Sequence, residues 1–272
     1  MNIYQEITAF YQSVKTEKRI IGTSLLGRNL YAVKVGDGSP VGIATYAIHG
    51  REFITAKLAR VHYYYGVKGT LWLVPLVNPD GALLSEVGRW SARGGEYDGF
   101  LSRFTAEELR LWKANARGVD LNVNFDAEWG NGLKNTRTAG AENYIGAKAF
   151  SEPETRALRD FTLRVRPDYT VSYHTKGEEI YWRFHQSAHT CLRDKRLAEV
   201  ISAATGYPLR EAYGSVGGYK DWCILTLGIP SFTVEVGSDD CKHPLGERDF
   251  ERLKIKNDRA LYALSMAVTP QG

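Results

Sequence analysis

The sequence predicts an α/β protein, a three-layer α/β/α sandwich around a central mixed sheet. Short apolar runs of the kind that buried strands make recur at residues 41–48, 70–75, 169–174 and 231–236. Segments with helical spacing lie between them, and parallel strands need helical crossovers to become neighbours. A chain of 272 residues is at the upper end of what one core serves, and folding should bury roughly three quarters of its unfolded surface. A single domain over 1–272 is therefore expected.

Taken in order, residues 3–14 form an amphipathic helix. Residues 20–26 and 29–35 read as two strands, joined at Gly27-Arg28 as a hairpin. The apolar run 41–48 is a buried strand, 53–65 a helix, and 70–75 another buried strand. Ser151 is placed to N-cap a helix that has Pro153 in its first turn and Glu154 at the capping-box position; it should end before Pro167. Strands follow at 169–174 and 231–236, and a closing helix at 247–266. Loops at strand ends are where such folds place their chemistry.

Composition excludes several classes. Hydrophobic residues are 43% and charged residues 24%, which is globular rather than disordered. No apolar run approaches the ~20 residues of a membrane span. The opening Met1-Asn2-Ile3-Tyr4-Gln5-Glu6 lacks the basic and apolar regions of a signal peptide, so a cytoplasmic protein without a membrane partner is expected. Thirty-five basic residues against 31 acidic ones give a net charge of +4. These charges are dispersed, which argues against a nucleic-acid partner. Cys191, Cys223 and Cys241 are odd in number and widely spaced, so neither a disulfide framework nor a Cys-x-x-Cys metal knuckle follows.

The chemistry-bearing pattern begins where the strand 41–48 ends, in Ile48-His49-Gly50-Arg51-Glu52-Phe53. His49 and Glu52 are three apart, and on a helical turn they project to one side. An imidazole and a carboxylate so placed can supply two of the three protein ligands of a catalytic zinc. A second strand ends in Val171-Ser172-Tyr173-His174 and offers the third. A third ends in Ser231-Phe232-Thr233-Val234-Glu235, where a carboxylate is costly unless it is used. His62, His185, His189 and His243 have no partner pattern and are assigned to surface or core.

Together with Pro75-Leu76-Val77-Asn78-Pro79-Asp80-Gly81 and Arg117-Gly118-Val119-Asp120-Leu121-Asn122, these strings resemble the zinc carboxypeptidases of the carboxypeptidase A type. The resemblance runs from about Ile21 to the closing helix. It implies a metallopeptidase catalytic domain with one Zn²⁺ per chain, held by His49, Glu52 and His174, the His₂Glu ligand set known for this family. Glu235 matches the family's catalytic glutamate, which takes a proton from the attacking water and delivers it to the leaving amine. Arg117 aligns with the arginine that steadies the scissile carbonyl as it becomes an oxyanion. Arg51 and Asn122 fall where the family faces its substrate. Asn78, Pro79 and Gly81 are expected to shape a turn beside the site, with Asp80 capping it.

Two departures bear on substrate. Where the family carries an arginine that grips a terminal carboxylate, the string Gly118-Val119-Asp120-Leu121-Asn122-Val123-Asn124-Phe125 has Val123. Ile224 stands where a substrate-capping tyrosine is usual, and nearby Tyr219 is the candidate to replace it. The string from Ser172 to Trp182 is similar to bacterial γ-D-glutamyl-meso-diaminopimelate peptidases, as are those from Asp120 to Ala127 and from Gly217 to Trp222. That resemblance implies a peptidoglycan-derived peptide as substrate, with Lys176, Glu178 and Glu179 as candidates to read its charges. Two alternatives stay open: an exo-acting metallocarboxypeptidase with altered C-terminal recognition, and a catalytically silent zinc- or muropeptide-binding protein.

Overall fold

The structure, a computed structural model, describes residues 1–270. Helix α1 (Ile3–Ser13) starts at Asn2, which makes a capping box with Gln5, and buries Ile3, Ile7 and Phe10 on one face. Strands β1 (Lys18–Thr23) and β2 (Asn29–Gly36) pair antiparallel across a turn in which Gly27 has φ +76°, a conformation glycine adopts without strain. Strand β3 (Val41–Tyr46) leads through a 3₁₀ turn (Gly50–Thr55) into α2 (Ala56–Tyr65), and β4 (Thr70–Val74) follows. Then come α3 (Pro79–Val87) and two short helices, α4 (Asp98–Leu101) and α5 (Ala106–Arg110).

A long looped stretch precedes α6 (Pro153–Val165), β5 (Tyr169–Thr175) and β6 (Glu179–Tyr181). The remainder is α7 (Ala188–Thr205), β7 (Leu209–Arg210), α8 (Tyr219–Leu227), β8 (Ser231–Val236), α9 (Glu247–Asn257) and α10 (Ala260–Ala267).

One sheet runs in the order β1-β2-β4-β3-β5-β8-β6-β7. Its centre, β4-β3-β5-β8, is parallel, while β1, β2 and β6 add antiparallel pairings, so the sheet is mixed as expected. Alternate side chains of the strands feed two cores. On one face Ala44, Leu73, Val171 and Val234 pack with Leu58, Leu197, Ile201, Leu253 and Leu261 from the helices. On the other, Ile43, Trp72 and Val74 pack with Leu158 and Phe161 of α6 and Trp222 and Cys223 of α8. All seven residues of β5 are buried, because helices cover both of its faces. This is the three-layer α/β/α sandwich.

Three local expectations need correction. Helix α6 is capped by Glu152, whose side chain makes no capping bond; Ser151 donates to Glu152 instead, and Glu154 is buried, accepting from the backbone N–H of Leu25. The closing helix is two helices, interrupted at Asp258 and Arg259. Asp80 does not cap the turn: its carboxylate accepts from Arg28, Ser24 Oγ and the N–H of Leu26. The cap of α3 is Asn78, which accepts from the N–H of Gly81.

Candidate active site

Parallel strands end at a common edge, and that edge carries the chemistry. His174 lies near the end of β5, directly across from Glu235 of β8 in the strand register. His49 follows the end of β3, and the 3₁₀ turn immediately after it carries Glu52. The turn is clamped from several directions. The N–H groups of Gly50 and Arg51 donate to the carbonyls of Lys113 and Trp112, at 2.9 and 2.7 Å. Thr55 Oγ1 accepts from the N–H of Ala47 and donates to the carbonyl of Glu52. The amide of Asn78 donates to the carbonyls of Ile48, Lys113 and Ala114. Backbone crowding requires glycine at position 50, where a Cβ would lie 2.4 Å from the Gly81 oxygen.

His49, Glu52 and His174 are buried and bring their donor atoms together. His49 Nδ1 is 2.9 Å from Glu52 Oε1, His174 Nδ1 is 3.1 Å from Glu52 Oε2, and the two Nδ1 atoms are 3.2 Å apart. Donors around a tetrahedral zinc stand about 3.3 Å from one another. Glu52 Oε2 is buried without a hydrogen-bond partner, and two imidazole lone pairs facing one carboxylate form a cage for a divalent cation. The residues therefore fit a zinc ion.

Asp120, in the loop before the 3₁₀ turn Leu121–Val123, supports the cage from behind. Its Oδ1 is 3.3 Å from His49 Nε2, which fixes the far ring nitrogen as the N–H and leaves Nδ1 for metal. The N–H groups of Asn122 and Asn143 donate to Asp120, and Lys113 Nζ is 3.6 Å from its Oδ2. Although burial opposes its charge, Lys113 and His49 hold Asp120 far below the usual carboxylate range. Burial likewise opposes charge on Glu52, but His49 and His174 keep it ionised, well below the ordinary value. Glu235 goes the other way: burial, reinforced by the charge of Glu52, pushes it up to about 8.

A cavity of about 330 Å³ opens on this cluster, lined by His49, His174, Lys113 and Glu235, with Val123 and Lys220 among its other lining residues. A larger cavity of about 940 Å³, beside α1, α2 and α9, contains none of these residues.

The remaining expected site residues are distributed unevenly. Asn122 lines the cavity and accepts from the N–H of Tyr219. Arg117 does not line it. That side chain is exposed, donates to the Tyr97 hydroxyl and approaches Glu152, because Gly118 turns the chain there at φ +79°. Lys113, four residues earlier, is the cation beside the metal ligands. Tyr219 is also misplaced as a substrate cap. Its ring is fully buried against Phe125 and Trp222, and its hydroxyl bonds to Thr162. The tyrosines that line the cavity are Tyr181 and Tyr213, the latter 98% exposed.

Arg51 lies outside the cavity lining, near the Leu111 carbonyl and Glu142, with its buried Nε unpartnered. Lys176 pairs with Asp239, and Glu178 with Lys256 and Arg252. Glu179 pairs in register with Glu235 and accepts from Tyr181, whose ring lines the cavity. His62 is a core residue, held by Tyr46 and the Asn257 carbonyl. His185 and His189 are exposed, and His243 sits partly buried against Thr175. The signals for Lys113 and Asp120 were present, as a Trp-Lys pair and the Gly-Val-Asp string, but their meaning depends on contacts distant in sequence.

A mixed α/β/α sheet with a His/Glu/His cage at its carboxyl edge and a carboxylate facing it defines the class, a metal-dependent hydrolase. The description of the zinc carboxypeptidase family matches residues 3–252, and the chain belongs to that family of zinc metallopeptidases. It is 30% identical over 249 residues to γ-D-glutamyl-L-diamino acid endopeptidase 1 of Lysinibacillus sphaericus, a match that covers 84% of this chain and 62% of that protein. Among solved structures, thrombin-activatable fibrinolysis inhibitor superposes with a TM-score of 0.77 at 23% identity, over 97% of this chain and 72% of that one. The murein-tripeptide amidase MpaA of Escherichia coli O157 superposes with a TM-score of 0.64 at 24% identity, over 97% of both chains. No helix among the described residues is long and apolar enough to cross a membrane.

Proposed function

We propose that this chain is a zinc-dependent peptidase that hydrolyses the γ-D-glutamyl–meso-diaminopimelate bond of peptidoglycan stem peptides or muropeptides. The observation that carries the reading is the content of the cavity: it is lined by His49 and His174 of the metal cage, by Glu235, and by Val123, which stands in the sequence where a carboxylate-gripping arginine would otherwise be expected. The Lysinibacillus relative, named for γ-D-glutamyl-L-diamino acid cleavage, supports it.

Zinc held by His49, Glu52 and His174 would supply Lewis acidity to the scissile carbonyl and to water. The protein's own groups do the rest. Glu235 accepts a proton from the attacking water as its oxygen bonds to the carbonyl carbon. It returns that proton to the departing nitrogen when the C–N bond breaks. Its place on β8, directly across from His174 in the strand register, suits it to both transfers. The ammonium of Lys113 takes the oxyanion-stabilising role expected of Arg117. Asp120 keeps His49 in the ligand tautomer.

Incubation with L-Ala-γ-D-Glu-meso-diaminopimelate should release diaminopimelate and L-Ala-D-Glu, and a chelator should stop the release. The Lys220 ammonium also favours a second reading, an exo-acting carboxypeptidase that anchors a terminal carboxylate there. Parallel assays on blocked and free C-termini separate the two.

A further inference from the structure

Lys113 and Asp120 are seven positions apart in the chain, yet Lys113 Nζ stands 3.6 Å from Asp120 Oδ2 and both residues line the active-site cavity. The turn between them is organised by Asn115, which is fully buried and lies outside the cavity lining. Its Oδ1 accepts from the N–H groups of Arg117 and Val119, both at 3.1 Å. Its own N–H donates to the Val119 carbonyl at 2.9 Å. Its carbonyl accepts from the N–H of Gly118 and from Trp112 Nε1, each at 3.0 Å. The side-chain Nδ2 reaches out of the turn, donating to Glu152 Oε2 at 2.7 Å and to Glu154 Oε2 at 3.4 Å. Both carboxylates are buried at the N-terminus of α6. One residue thus closes the turn on itself and ties it to a helix.

These bonds need an acceptor and a donor on one short side chain, which is what a carboxamide provides. Aspartate would set a third carboxylate beside Glu152 and Glu154, and serine could accept from the turn but is too short to reach α6. The turn carries a working group at each end. Lys113 is the cation for the oxyanion, on a flexible four-carbon stem, and Asp120 backs His49. We infer that Asn115 is a positioning residue: by closing the turn and fastening it to α6, it sets where Lys113 and Asp120 stand relative to the metal ligands. Such support matters because a displacement of about 1 Å can cost on the order of 100-fold in rate. The inference rests on the reading of Lys113 as the oxyanion cation, and adds to it what holds that cation in place.

The test compares Asn115→Asp with the double variant Asn115→Asp/Glu152→Gln, both at saturating zinc. The first loses the donor to Glu152; the second returns it from the opposite side and keeps the wild-type number of buried charges. Turnover is read on L-Ala-γ-D-Glu-meso-diaminopimelate and, in parallel, on an α-linked peptide with a free C-terminus, so that a failure of the bond assignment shows separately. For Asn115→Asp, kcat should fall on the order of 10- to 100-fold, with KM within about twofold of the wild type. The double variant should recover most of that loss. In a Lys113→Met background, Asn115→Asp should cost less than about twofold more, because the group it positions is gone. Asn115→Ser adds no buried charge and gives the same comparison in place of an aspartate variant that does not fold. A lowered melting temperature with unchanged kcat would make Asn115 a structural residue only and overturn the inference. So would an equal loss of kcat with and without Lys113. Wild-type turnover by Lys113→Met would overturn the oxyanion assignment and this inference together.

Discussion

Asp120 Oδ1 stands 3.3 Å from His49 Nε2, while His49 Nδ1 faces Glu52 at 2.9 Å. One imidazole is thus gripped at both nitrogens, by a carboxylate behind it and by the cage in front. Substituting the rear carboxylate frees the ring and its tautomer. Asp120→Asn should weaken zinc binding about 10- to 100-fold, measured by competition with a chromophoric chelator. Unchanged affinity would mean that the ring is held by packing alone.

Two cations compete for the oxyanion role, and position decides between them. Lys113 lines the cavity, whereas Arg117 bonds to Tyr97 on the surface. Lys113→Met should lower kcat on the order of 100-fold or more. Arg117→Met should change it only slightly. Steady-state kinetics on one substrate compares them, and the reverse ranking would restore Arg117.

Glu235→Gln keeps the size of the side chain and removes its ability to accept a proton. Zinc content should match the wild type, while turnover should fall about 10²- to 10⁴-fold. Retained turnover would remove Glu235 from the mechanism.

Away from the site, Glu154 is fully buried, and burial with the nearby charge of Asp80 pushes its carboxyl up to about 8. The native state therefore holds this proton more tightly than the unfolded chain, whose glutamates ionise near 4.5. Its stabilising contribution is complete below that pH and is lost as the pH rises through about 8. The tighter hold on the proton is worth on the order of a few kcal/mol. Glu154→Gln should flatten the fall in melting temperature between acidic and alkaline pH. An unchanged slope would assign that fall to other groups.

The central strands were legible because they are short, apolar and buried on both faces, and their ends marked His49, His174 and Glu235. Glu52 followed from its spacing to His49. What the sequence concealed depends on distant contacts. Lys113 reaches the site because its carbonyl accepts from Gly50, a pairing across more than 60 positions of chain. Tyr213 and Tyr219 lie in one string, and only the packing of Tyr219 under Phe125 and Trp222 shows which of them is free. Helix α7 buries Asp194, Leu197, Ala198, Ile201 and Thr205 at helical spacing, but two of the five are polar, which weakens its apolar pattern. Strand β6 and the edge strand β7 are three and two residues long, too short to carry a pattern.

Incubating the zinc-loaded protein with L-Ala-γ-D-Glu-meso-diaminopimelate, and identifying the products by mass spectrometry, tests the central claim most directly. The account predicts free diaminopimelate and L-Ala-D-Glu, with no product after chelation. An intact stem peptide, alongside stepwise loss of C-terminal residues from ordinary α-linked peptides, would contradict it.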